Sequence, residues 1–219
     1  KIYFIHLLLG AAFGVLTAYL TKSYVFGVLF FLAIAILWFY SYRLKKALFL
    51  GNMVVAIMAA APVYSVLMVM FFSDWNTGNS LLNWISDNQQ IVGFVFGYSF
   101  FAVTTHFLRE IVKDIQDMDG DKAFRCLTVP IKYGKMRAAI IAQWITVVVI
   151  AFLGMAQLIL FVNDYLLMGF YSFLIIVFLI MIFIRIRKAE SAADFGKAGS
   201  LIKWMMLLGI LSMVLIPFS

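Results

Sequence analysis

Five of the ten acidic residues in this sequence fall within twelve positions: Glu110, Asp114, Asp117, Asp119 and Asp121. Arg109, Lys113, Lys122 and Arg125 are interleaved with them. On a continuous helix each residue advances about 100°. Glu110, Asp114, Asp117 and Asp121 then share an arc of roughly 60°, with Asp119 pointing to the other side. Gly120 is a point where such a helix can turn. Carboxylates gathered on one face repel one another unless cations sit between them. Their hard oxygens suit Mg²⁺, which binds through one or two carboxylates and bridges to phosphate oxygens. The spacing has two readings. One is half of a Mg²⁺–diphosphate site; the other is a solvated loop in which Lys113 and Lys122 neutralise the acids locally.

A second polar cluster, Tyr40, Ser41, Tyr42, Arg43, Lys45 and Lys46, closes an earlier apolar run, and Asn52 opens the next. Its cations could clamp a diphosphate and stabilise its charge as it leaves. They could equally be membrane-surface anchors, the reading that also fits Arg185, Arg187 and Lys188. Asn52 can bond a phosphate oxygen or a metal-bound water. His6 and His106 stand isolated in apolar runs, where hydrogen bonding between helices is the ordinary use of a histidine. Cys126 is the single cysteine, so an intrachain disulfide is impossible, and no histidine lies near it in sequence.

The elements that position these residues are apolar. The 219 residues are 65% hydrophobic and 12% charged, with a mean hydropathy of +1.05. Soluble chains carry about 25% charged residues, so the class is a polytopic membrane protein. Its runs lack the period-two alternation of barrel strands and are expected to be helices. Seven spans are expected, near 2–21, 25–42, 52–72, 91–108, 137–162, 165–184 and 200–217. The net charge of +7 reads as topology rather than nucleic-acid binding. Sixteen of the seventeen basic residues fall on one side of a seven-span alternation. That places the amino end and the acidic block in the cytoplasm, at the inner membrane if the cell is bacterial. Gly10 with Gly14, and Gly93 with Gly97, match the small-xxx-small packing pattern. Pro62 is expected to kink or unwind its helix beside a cavity. The segment 73–90, with Trp75 and Trp84, reads as an interfacial aromatic anchor.

The run REIVKDIQDMDGDK, followed by TVPIKYG, resembles the second aspartate-rich motif of the UbiA superfamily of intramembrane prenyltransferases. YSYRLKKALFLGNMVVAI resembles that family's tyrosine–lysine segment, and DFGKAGSLIKWMMLLGILSM its last helix. The resemblance implies an all-α transmembrane bundle of nine helices around a chamber open sideways to lipid, of which seven spans are present here. It implies Mg²⁺ and a polyprenyl diphosphate donor. Asp117 and Asp121 match the D-x-x-x-D pair and Asp114 the additional acid, giving the metal ligands. The tyrosine–lysine pair is Tyr42 with Lys46, or Tyr40 with Lys45 in the other register. Arg43, Lys122, Asn52 and Arg109 are the implied diphosphate contacts. The acidic block looks closest to the branch that alkylates geranylgeranylglyceryl phosphate, with prenylation of aromatic quinone precursors next.

The family's first aspartate-rich motif has no counterpart before Asn52, and the chain starts at Lys1. Residues 1–219 are therefore expected to form a single transmembrane domain that is incomplete at its amino end and inactive alone. Two other classes remain: an ion-coupled transporter, which predicts acids near the membrane midplane, and a non-catalytic helical scaffold.

Overall fold

A hydrocarbon environment leaves a backbone one economical choice, which is to satisfy its N–H and C=O groups within each segment as a helix. In the computed structural model, which describes residues 2–20, 24–44, 48–74, 80–124 and 126–218, the described residues form helices and no strand. Chain order is α1 (Ile2–Leu20), α2 (Tyr24–Tyr42), α3 (Leu48–Asp74), the short α4 (Leu81–Asp87) and α5 (Gln89–Gln116). The short α6 (Met118–Ala123) and α7 (Val129–Tyr133) follow, then α8 (Lys135–Val162), α9 (Leu166–Lys188) and α10 (Ala192–Leu211). A 3₁₀ helix, Ser212–Phe218, ends the described chain.

Among the described residues, six helices are long and apolar enough to cross a membrane: α2, α3, α5, α8, α9 and α10. The first of the seven expected spans coincides with α1, a 19-residue helix as long as α2. Leu8, Phe96, Trp144 and Phe170 are each more than 60% exposed. Apolar faces of that extent are tolerable only against lipid. The protein is an integral membrane helical bundle.

α5 is the axis of the fold because its faces do different work. Leu108, Ile111, Val112 and Ile115 are buried in the core that α5 forms with α8 and α10. These positions recur at three- and four-residue spacing, which keeps them on one stripe. Another face packs on α3. Between α3, α5 and α10 lies an apolar chamber of about 540 Å³. Pro62, Tyr98 and His106 are among its walls. α3 stays helical through Pro62; nearby, the Tyr64 hydroxyl donates to the Ile57 carbonyl and the Ser65 hydroxyl to that of Pro62 itself, each at 2.7 Å. Tyr98 is held by a 2.7 Å hydrogen bond to Ser212 at the start of the 3₁₀ helix.

α1 and α2 pack as a hairpin in which a Cβ on Gly14 would come within 2.8 Å of Phe30 Cβ. Gly93 behaves differently: nothing lies within 4 Å of the place its Cβ would take. Its match to the packing pattern therefore marks no close helix contact. α2 meets α3 at its two ends, through Phe26 with Phe72 and through Leu44 with Gly51. Between those contacts lies a second apolar cavity, of about 510 Å³. Trp84 is not an interfacial anchor. It is 5% exposed, packs edge-on against Phe71, and donates its indole N–H to Asp74 at 2.9 Å. Trp75 lies outside the described residues.

Candidate active site

The last two turns of α5 carry Glu110 and Asp114. Asn52, in the first turn and a half of α3, donates its amide to Asp114 Oδ2 at 2.8 Å. Asn52 and Glu110 are each only 9% exposed. Arg109 pairs with Glu110 at 2.6 Å and compensates that buried charge. Glu110, Asp121 and Lys113 all act electrostatically on Asp114, and Glu110 and Asp114 both act on Tyr40 at the end of α2. Three helices thus bring one polar cluster to the acidic end of the bundle. Gly51 permits the approach of α2: a Cβ there would lie 2.5 Å from the Leu44 carbonyl oxygen.

The continuous helix that the acidic spacing assumes does not occur. α5 stops at Gln116, and Asp117 sits at the break with φ −93° and ψ 8°. A new short helix, α6, carries Asp119 and Asp121, tied back by the Asp121 N–H to the Asp117 carbonyl at 3.0 Å. The break leaves Asp117 exposed, while Asp114 and Asp121 are half-buried. Asp119 is exposed too and makes only a loose 4.0 Å pair with Lys122. Among the described residues, no three Asp, Glu, His or Cys side chains close around one point. An all-protein metal cage is therefore ruled out for these residues as placed. The donor set does fit an ion of the Mg²⁺ kind, which keeps waters and substrate phosphates and needs only one or two carboxylates.

The other expected residues divide. Tyr42 is 70% exposed and stacks on Trp38, with ring centroids 5.8 Å apart; of the two registers, it is Tyr40 that faces the acids. Arg43 and Lys122 are exposed, and Arg109 is engaged with Glu110. Lys45, Lys46 and Arg125 lie outside the described residues. Sequence reasoning placed Glu110 in the acidic arc but gave it no role of its own, and left His106 out of the site. The signal for both was the four-residue ridge they form with Asp114, which climbs from the chamber wall to the acids.

Replacing Asn52 by leucine tests the joint between α3 and α5. It removes the amide and leaves a half-buried carboxylate oxygen without its donor, a loss of about 1–3 kcal/mol. The expected result is a lower unfolding temperature in detergent, with Asn52→Gln retaining part of the loss. An unchanged midpoint for the leucine variant would show that the bond carries no stability.

Residues 2–215 match the UbiA prenyltransferase family. The chain is similar to proteins named digeranylgeranylglyceryl phosphate synthase in three archaea. Identity is 30% over 122 residues with that of Methanosphaera stadtmanae, covering 56% of this chain and 38% of the relative. It is 30% over 135 residues with that of Methanobrevibacter smithii, covering 62% and 42%. With that of Pyrococcus abyssi it is 34% over 112 residues, covering 51% and 33%. The match thus spans less than half the length of each of these relatives. No solved structure gives a significant match. With a helical membrane bundle, an acidic cluster above an apolar chamber and a match running almost end to end, the chain belongs to the UbiA prenyltransferase family.

Proposed function

We propose that this protein transfers a prenyl group from a polyprenyl diphosphate, such as geranylgeranyl diphosphate, to a lipophilic acceptor of the geranylgeranylglyceryl phosphate kind. The observation that carries the reading is Asp114, fixed by Asn52 and grouped with Asp121 and Glu110 at the end of a helix whose other turns line an apolar chamber. The names of the archaeal relatives favour a glyceryl phosphate acceptor over an aromatic quinone precursor.

In this mechanism Asp114 and Asp121 would hold the metal, with the exposed Asp117 on the solvent side. A Mg²⁺ ion bound there would supply the positive charge that offsets the diphosphate's as it leaves. Arg43 and Lys122 stand at the polar end to balance the same charge, a role the sequence also offers to Lys45 or Lys46. Arg109 keeps Glu110 neutralised, and Tyr40 stands within the electrostatic reach of Glu110 and Asp114. The apolar walls exclude water from the allylic cation that forms when the C–O bond to diphosphate breaks and its electron pair leaves with the phosphate. Aromatic ring faces along the chamber, Phe94, Tyr98 and Phe101, can stabilise such a cation. The acidic end faces the cytoplasm on the basic-residue distribution.

The test is an assay of the protein at its full natural length in lipid nanodiscs, with labelled geranylgeranyl diphosphate, Mg²⁺ and either acceptor class. Product with the glyceryl phosphate lipid, lost on chelation and restored by Mg²⁺, is expected. Product only with an aromatic acceptor selects the second branch. No transfer from any polyprenyl diphosphate to either acceptor, or transfer indifferent to chelator, defeats the proposal.

A further inference from the structure

Transfer to an acceptor hydroxyl raises a problem that ionisation of the allylic diphosphate alone does not: the hydroxyl proton must go somewhere as the new C–O bond forms. The acids cannot take it freely. Glu110 is paired with Arg109, and Asp114 is committed to Asn52 and to the electrostatics of its neighbours. The chamber beneath them is lined almost wholly by apolar side chains, with two exceptions that carry a titratable group, Tyr98 and His106. Tyr98 is bonded to Ser212. The imidazole of His106 is half-buried on the chamber wall and makes no hydrogen bond among the described residues. The charged groups that act on it are Arg109 and Glu110, from the next turn of its own helix and paired to each other; the chamber-lining residues of α3 and α10 are uncharged.

His106 sits eight residues before Asp114 on one ridge, about 12 Å down the axis at 1.5 Å per residue. A diphosphate held at Asp114 and Asp121 and directed into the chamber presents its allylic carbon between the acids and the imidazole. We propose that His106 is the general base of the transfer, a catalytic residue that accepts the acceptor's hydroxyl proton. The step balances. The acceptor oxygen forms a bond to the allylic carbon, the carbon–oxygen bond to diphosphate breaks with its electron pair on the phosphate, and the O–H proton passes to a ring nitrogen of His106. This rests on the prenyl-transfer reading above and adds the group that makes a hydroxyl a usable nucleophile.

The experiment compares the unmutated full-length protein with His106→Gln and His106→Ala in nanodiscs. Two quantities are followed from the same labelled allylic diphosphate: prenylated acceptor and total diphosphate released. The expected result is a loss of at least about a hundredfold in prenylated acceptor, with diphosphate release retained within a few-fold and the cation lost by elimination to a diene, its proton going to the released diphosphate. Added imidazole should restore part of the transfer to His106→Ala and none to His106→Gln, whose side chain still fills the space. Prenylated product within threefold of the unmutated rate overturns the proposal. An equal loss of product and of diphosphate release in both variants also overturns it, because that pattern belongs to a residue that shapes the chamber. If the unmutated protein itself transfers nothing, the functional reading fails, and the failure is seen before any variant is made.

Discussion

Asp114→Asn is expected to lower prenyl transfer between about a hundredfold and a thousandfold while leaving the bundle folded. The substitution is isosteric, and the new amide oxygen can still accept the hydrogen bond that Asn52 donates at 2.8 Å. The α3–α5 joint therefore keeps its geometry and loses only a negative charge. In a half-buried site beside Glu110 and Asp121, that charge is what makes the cluster attractive to a cation. Removing one preorganised electrostatic group from a site of this kind typically costs about 10²–10³ in rate. Asp121→Asn is expected to act alike. Asp119→Asn, on the exposed far side of α6 and loosely paired with Lys122, is expected to change the rate less than threefold. Transfer rates, with helix content and unfolding temperature measured alongside, decide the matter. A wild-type rate for Asp114→Asn, or a loss for Asp119→Asn as large as that for Asp114→Asn, would remove the charge from the mechanism.

The second large effect is expected at a residue that carries no chemistry. Gly51 lets the end of α2 lie against the start of α3, with the Leu44 carbonyl oxygen 2.5 Å from where a Cβ would be. An alanine there meets backbone rather than a side chain that can swing away. α2 must move, and with it Tyr40 and the basic stretch that follows. Overpacking of this sort costs about 1–3 kcal/mol. If the displaced contacts serve catalysis, transfer falls about tenfold to a hundredfold. Gly93→Ala supplies the contrast: its added methyl meets nothing within 4 Å, and alanine is the better helix former by about 1 kcal/mol. Gly51→Ala should lower both the transfer rate and the unfolding temperature, whereas Gly93→Ala should leave the rate alone. Equal behaviour of the two variants would show that the α2–α3 contact does not support the site.

Fold class was open to reading from hydropathy because lipid imposes one rule on every long apolar run, and that rule is local. The same locality explains where the reading stopped. Gly93 and Gly97 carried the same pattern as Gly10 and Gly14, but only a partner helix turns the pattern into a contact, and Phe30 supplies one at Gly14. Trp84 carried the composition of an interfacial anchor; its burial against Phe71 and its hydrogen bond to Asp74, ten residues earlier, depend on packing that composition does not record.

The acidic block divides in the same way. The sequence by itself determined that carboxylates crowd one short stretch, that they border a helix at the membrane surface, and that the stretch resembles a family motif. These are properties of residue type and spacing. What the tertiary structure decided is which acids act together. The helix breaks at Asp117, so the arc that would have joined Asp114, Asp117 and Asp121 is interrupted, and Asp117 turns to solvent. Asn52, sixty-two residues earlier, selects Asp114; the end of α2 brings Tyr40 rather than Tyr42 to the acids; and the packing of α3, α5 and α10 gives His106 a chamber to face. Helical periodicity fixes angles only within one unbroken helix. Where a helix ends and which helix comes next to it depend on contacts between distant segments, and spacing along the chain does not record them.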